Sequence, residues 1–80
     1  MHYIETVASC AIHDAQRFVD RHQAMMQSSA ERCLEDAIEL AVKGKWEWAL
    51  LRAIHSIRYS VGVFSETHHY YQTWFDENVK

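Results

Sequence analysis

The sequence predicts an all-α fold, an antiparallel bundle of three helices with a long third helix. Three observations predict it. The 80 residues include no proline and only two glycines, the two residue types that destabilise helix interiors most. Apolar residues recur at three- and four-residue steps, which places them on one face of a helix. A serine pair, Ser28 and Ser29, and the glycine Gly44 separate these runs, as expected of helix boundaries.

The first helix is predicted over residues 3–26. Its apolar residues share one helix face, and most of the charged residues lie off that face, which indicates an amphipathic helix packed on a core. The residues of this face are Ile4, Val7, Ala8, Ala11, Ala15, Phe18, His22 and Met25.

The second helix is predicted over residues 29–43. Ser28 is followed three residues later by Glu31, the spacing of a capping box at a helix start. Glu39 precedes Lys43 by four residues, which is the spacing of a stabilising ion pair on a helix surface.

The third helix is predicted over residues 46–75, after Gly44 ends the second helix in the left-handed conformation. We expect one long helix with room for a kink at Gly62, because β-branched residues flank that glycine and lower helix propensity. Two shorter helices that split near Gly62 are the alternative. The apolar stripe comprises Trp46, Ala49, Leu50, Ala53, Ile54, Ile57, Val61, Phe64, His68, Tyr71 and Phe75.

The segment around Gly44 carries a spaced pattern of small and large residues. The pattern consists of Ala37, Leu40, Gly44, Trp46, Ala49 and Ala53. Over residues 37–53 it resembles the centre of a single tetratricopeptide repeat. The resemblance implies a tight helical hairpin across Gly44. The chain has no second copy of the pattern and lacks the proline that ends such a repeat, and no functional residue is carried over from the family.

Composition and charge exclude several classes of protein. The formal net charge is −3, whereas a protein that binds a phosphate backbone is expected to carry a basic patch. We expect no secretory signal, because the first residues have neither a basic start nor an apolar run, and no stretch approaches the ~18 apolar residues of a membrane span. Cys10 and Cys33 lack the spacing of a redox or disulfide motif. We therefore expect residues 1–80 to form one reduced, cytoplasmic domain without a cofactor.

Aromatic and basic residues cluster on the side of the predicted third helix that lies opposite its apolar stripe. The clustering follows from a rotation of 100° per residue. Tryptophan, tyrosine and arginine are enriched at the hot spots of protein interfaces. We therefore expect this face to bind a protein partner, and burial of the face under the first helix is the alternative. The candidate partner-binding residues are Trp48, Arg52, His55, Tyr59 and Tyr70.

Residues with metal-binding or catalytic chemistry are also present. Glu66 and His69 have the Glu-x-x-His spacing of helical di-iron sites, but further carboxylates would have to come from another helix or another copy. A solvated ion pair is the alternative for these two residues. Serine, histidine and acidic residues occur without a nucleophile elbow, so we expect no enzymatic activity.

The leading hypothesis from the sequence is a non-enzymatic protein–protein interaction module that forms a homodimer. A small adaptor or regulator would have this size, and so would a stand-alone inhibitor that a mobile element directs against a host defence complex. One alternative is a metal-binding helical protein that uses Glu66 and His69. The other is a nucleic-acid-associated protein that uses Arg52, His55 and Arg58, which we consider the less favoured partner class.

Overall fold

A computed structural model describes residues 3–22 and 24–79, which form four α-helices and no strand. The all-α prediction is confirmed. The prediction of three helices is wrong, because the long third helix is divided in two. No helix within these ranges combines the length and apolar content needed to cross a membrane. The helices are α1 (Ile4–Asp20), α2 (Gln27–Val42), α3 (Trp46–Val61) and α4 (Glu66–Asn78).

The division between α3 and α4 occurs at Gly62, as in the alternative of two shorter helices. Gly62 has a φ of 87° and a ψ of 168°, a conformation that is essentially restricted to glycine. The Oγ of Ser65 then accepts a hydrogen bond from the amide of His68 at 3.0 Å, and this bond caps the start of α4. The two helices are therefore separated by a turn with its own stop and start signals.

The first helix ends at Asp20 rather than at Met26, so the predicted boundary is wrong. His22 has a φ of 51°, which is the left-handed conformation in which many helices end. Gln23, within the predicted helix, lies outside the described residues. The chain then reaches α2 through residues 24–26.

The connection between α1 and α2 caps the C-terminal end of α3. The amide of Met25 donates a hydrogen bond to the carbonyl of Ser60 at 3.2 Å, and the amide of Met26 donates one to the carbonyl of Tyr59 at 3.0 Å. Carbonyl groups in the last turn of a helix have no partner within that helix. This tertiary contact therefore satisfies two of them and explains why the chain leaves the helical conformation before Met26.

The prediction of a capping box at Ser28 and Glu31 is wrong. The helix begins at Gln27, its N-cap residue is Met26, and no side chain caps it. Instead, the Nε2 of Gln27 donates hydrogen bonds to the carbonyl of Val19 at 3.0 Å and to the Oε1 of Glu31 at 2.9 Å. The Gln27 side chain thus joins the start of α2 to the end of α1.

Helices α2 and α3 form a hairpin across Gly44, whose φ of 76° allows the tight turn. The predicted ion pair is present, with the Nζ of Lys43 at 3.1 Å from the Oε1 of Glu39. The buried residues of the two helices are mostly small, which permits a close approach. The small buried residues are Ala30, Cys33, Ala37, Ala49, Ala53, Ser56 and Ser60.

Helix α3 is central, because it packs against each of the other three helices. The largest fully buried side chains, Leu50, Ile54 and Ile57, belong to it. Helix α4 is also joined to α1, because the hydroxyl of Tyr71 donates a hydrogen bond to the Oδ2 of Asp14 at 2.6 Å.

Three members of the predicted apolar stripes are not in the core. Met25 is 70% exposed and Phe64 is 99% exposed, and His22 is exposed as well. The predicted stripes depend on helices that continue through residues 21–26 and 62–65. The chain has turns in both places, so these side chains do not keep the phase of the preceding helix.

Candidate functional site

One side of α3 faces away from the core, and we call its four residues Trp48, Arg52, His55 and Tyr59 the α3 outer face. Trp48 is 61% exposed, so most of its side chain is not covered by the chain. Arg52 is exposed and His55 is partly buried. Tyr59 packs in part against the hydrophobic core. The α3 outer face thus combines an exposed tryptophan and arginine with two more firmly held rings.

Helices α2 and α4 flank the α3 outer face. On the side of α2, Arg52 lines a cleft together with Asp36 and Glu39. On the side of α4, His68 lies close enough to His55 for its charge to lower the pKa of His55. The α3 outer face therefore lies between two helices, with charged side chains of α2 along one edge and the imidazole of His68 along the other.

Burial and nearby positive charge lower the pKa of His55. Loss of hydration is the largest cause, and the guanidinium groups of Arg52 and Arg58 act in the same direction. The pKa of His68 is lowered as well, first by burial and then by Arg58, against the opposing effect of a hydrogen bond with the backbone of Val63. Both imidazoles are thus biased toward the neutral form, and the two arginines supply the positive charge of this region.

Tyr70 lies on a different helix from the other predicted residues. The break at Gly62 places Tyr70 on α4, where it is 53% exposed and lines a cleft with Phe64. Its ring contacts that of Tyr71 edge to face, with 5.0 Å between the ring centroids. The structure therefore brings four of the five predicted partner-binding residues onto one helix and places the fifth elsewhere.

Exposed apolar side chains surround the turn between α3 and α4. We call this surface the apolar end, and its members are Met25, Met26, Val63, Phe64 and Tyr70. Phe64 forms a wall shared by two clefts. The cleft beside the two methionines has a volume of about 440 Å³, and the cleft beside Tyr70 has a volume of about 360 Å³. The apolar end therefore presents a projecting ring with a hollow on each side.

The turn that carries Phe64 is held by several hydrogen bonds. The Oγ of Ser65 donates to the carbonyl of Gly62 at 3.2 Å while it accepts from the amide of His68. The imidazole of His68 lies close enough to the backbone of Val63 for this contact to raise its pKa. These bonds fix the backbone on both sides of Phe64, so the ring projects from an ordered support.

Sequence reasoning did not identify Met25, Met26 and Phe64 as surface residues. It assigned Met25 and Phe64 to the core because each continues the phase of an apolar stripe. The available signal was local: Gly62 between two valines, followed by a serine at a position suited to cap a new helix. Reading that signal as a helix boundary places Phe64 in a turn.

The two candidate metal ligands lie in the first two turns of α4. Glu66 and His69 are both exposed and line the same cleft beside Phe64. Across residues 3–22 and 24–79, no group of three or more histidine, cysteine, aspartate and glutamate residues is placed to hold a metal ion.

The two surfaces offer different contacts to a partner. The α3 outer face offers an indole, a guanidinium group and an imidazole on a regular helix. The apolar end offers thioethers and aromatic rings around a turn, and methionine side chains adapt readily to the shape of a bound group.

No protein-family model, curated protein or solved structure matches the chain.

Proposed function

We propose that the protein is a non-enzymatic interaction module that binds a protein partner through the α3 outer face. The observation that carries this proposal is the 61% exposure of Trp48 on the central helix, one turn from the exposed Arg52. Small adaptors and regulators fit this description. So does a stand-alone inhibitor, including one that a mobile element directs against a host defence complex in the cytoplasm.

The exposed tryptophan provides most of the binding free energy in this proposal. A tryptophan side chain can bury up to ~250 Å², and at ~25 cal/mol per Å² the exposed part of Trp48 is worth roughly 3–4 kcal/mol when a partner covers it. Trp48 lies in the first turn of α3, so little backbone ordering is needed on binding. Arg52 beside it is suited to bind a carboxylate of the partner.

The matching partner surface follows from this chemistry. It has an apolar pocket that accepts an indole ring, and a carboxylate within reach of the Arg52 guanidinium group. The cleft that Arg52 shares with Asp36 and Glu39 also contains Lys43, which pairs with Glu39, so the formal charges of its lining balance.

The test compares proteins captured from a host lysate by the wild-type chain and by Trp48→Ala. Tyr3→Ala and Arg32→Ala are matched controls, because both remove an exposed side chain that is not part of the α3 outer face. We expect one partner to be captured by the wild type and both controls, and its capture to fall at least ~10-fold with Trp48→Ala, the loss that ~1.4 kcal/mol produces. Circular dichroism should show unchanged helicity. Equal capture by Trp48→Ala contradicts the proposal.

A second candidate function is binding to nucleic acid. It is favoured by the arginines Arg52 and Arg58, which both lie close enough to His55 to lower its pKa. Two phosphate contacts predict a weak, salt-dependent interaction with a slope of roughly −2 in a plot of log affinity against log salt concentration. Fluorescence anisotropy with a labelled duplex at low salt tests it, and the absence of saturable binding there eliminates it.

A further inference from the structure

We propose that the apolar end is a homodimer interface, in which the Phe64 ring of each copy enters the cleft beside Met25 and Met26 of the other. The inference deepens the proposed function and rests on it, because it assigns one of the two surfaces to a second copy of the chain. Tyr59 also lines this cleft, so the part of the α3 outer face formed by Trp48 and Arg52 stays available for the target.

The apolar end is complementary to itself. Phe64 is 99% exposed, and it borders a cleft of about 440 Å³ that the two methionines also line. In a twofold-symmetric dimer, both copies use the same surface, so that surface must be complementary to itself. A projecting side chain next to a cleft meets this condition, because each projection enters the cleft of the other copy. Flexible thioether side chains suit the reception of an aromatic ring.

Charged residues at the rim of the apolar end are also complementary between two copies. Arg58 lines the cleft beside the methionines, and Glu66 lines the cleft on the other side of Phe64. Among the described residues, neither forms an ion pair within the chain. The rotation that seats each Phe64 in the opposite cleft carries Glu66 of one copy toward Arg58 of the other. The whole chain carries a net charge of −3, which makes two copies repel each other. The formal charges of Arg58 and Glu66 cancel, so this repulsion is weak at the apolar end.

The area of the apolar end suits a modest dimer. Its five side chains are between 40% and 99% exposed, which corresponds to roughly 600 Å² when an aromatic side chain accounts for ~150–250 Å². A standard interface buries ~800 Å² per partner. The turn around Phe64 is already ordered by hydrogen bonds, so binding costs little conformational entropy. We therefore expect a dimer with a dissociation constant in the micromolar range.

Sedimentation equilibrium tests the interface directly. We expect the wild-type chain to pass from monomer to dimer between ~1 µM and ~1 mM. Phe64→Ala should weaken dimerisation at least ~10-fold, as the loss of a hot-spot residue does, whereas Trp48→Ala should leave it unchanged. A wild type that stays monomeric up to ~1 mM, or a Phe64→Ala variant that dimerises normally, overturns the proposal.

A charge exchange tests the twofold arrangement. Arg58→Glu and Glu66→Arg should each weaken the dimer several-fold, because each places like charges opposite one another, and the double variant should recover most of the loss. Both substitutions replace exposed side chains, and circular dichroism checks that the three variants fold. A double variant no better than the worse single variant overturns this arrangement.

The two proposals fail in different ways. A monomeric wild type whose partner capture still depends on Trp48 removes only the dimer. A dimer that depends on Phe64, combined with partner capture that is unchanged by Trp48→Ala, removes only the target-binding role of the α3 outer face.

Discussion

Replacing Tyr71 with phenylalanine should weaken the attachment of α4 to the rest of the bundle. The Tyr71 side chain is almost fully buried at 5% exposure, and its hydroxyl donates a 2.6 Å hydrogen bond to the Oδ2 of Asp14. Burial, and next the hydrogen bond with Asp14, raise the pKa of Tyr71, so the hydroxyl keeps its proton and acts as the donor. This is a direct side-chain bond between α1 and α4.

The expected loss is about 1.5 kcal/mol. A hydrogen bond to a charged group contributes ~1.5–3 kcal/mol. The lower end applies here because the Asp14 side chain is 28% exposed and has Arg17 at 3.6 Å, so water and the guanidinium group compensate part of the loss. For a domain of this size, ~1 kcal/mol corresponds to ~4–8 °C in the melting temperature. A decrease of about 6–12 °C is therefore expected.

Thermal and urea unfolding followed by circular dichroism measure this loss. Tyr70→Phe is the matched control, because Tyr70 is the neighbouring tyrosine, is 53% exposed and makes no side-chain hydrogen bond within the described residues. A double-mutant cycle of Tyr71→Phe with Asp14→Ala should give a coupling energy above ~0.5 kcal/mol. If the two tyrosine variants melt together, or if the cycle is additive, the hydrogen bond does not stabilise the fold as described.

Three further predictions concern the core, the turn and the pH dependence. Ser56→Ala should cost ~1 kcal/mol in urea unfolding, because the Ser56 hydroxyl donates to the carbonyl of Ala30 at 2.7 Å. Ser60→Ala should be neutral or stabilising, because this buried hydroxyl has no partner among the described residues, and equal losses for the two serines would contradict this. Gly62→Ala should lower stability by ~1–3 kcal/mol because of its left-handed backbone, and an unchanged melting temperature would show that the turn relaxes freely. Since folding lowers the pKa of His68 from 6.5, the unfolded chain binds protons more readily, so stability should be complete above that pH and fall as the pH drops below it. His68→Gln should flatten part of this profile, and a wild-type profile already flat from pH ~7.5 to ~5 would refute the assignment.

Much of the helical framework is predictable from local signals. The small residues around Gly44 and the ion pair of Glu39 with Lys43 gave the hairpin of α2 and α3, because both effects act within a few residues of the turn. The end of α1 could not be predicted in this way. No glycine or proline marks residues 21–26, and beyond the helix end at Asp20 the amides of Met25 and Met26 bond to the last turn of α3. That contact joins segments distant in sequence, so no local pattern shows it.

The candidate surface could be predicted from the sequence only within α3, where the helix is continuous. Trp48 and Arg52 lie opposite the buried residues of α3, as a rotation of 100° per residue predicts. Beyond Gly62 the same calculation placed Tyr70 on that face and Phe64 in the core, and both placements fail. A φ of 87° at Gly62 redirects the chain, and four residues later α4 begins with a different phase. The backbone conformation of Gly62 therefore determines which aromatic residues belong to the apolar end.

The fold itself does not account for a phenylalanine at position 64. Hydrogen bonds among Gly62, Ser65 and His68 hold this turn, and a side chain that is 99% exposed makes almost no contact within the chain. Phe64→Ala should therefore leave the free energy of unfolding within ~0.5 kcal/mol of the wild-type value, as for most surface substitutions. Covering the same ring on a second copy recovers several kcal/mol at ~25 cal/mol per Å². Stability and association respond separately to this substitution, so a variant that folds normally but no longer dimerises would assign Phe64 to binding rather than to folding.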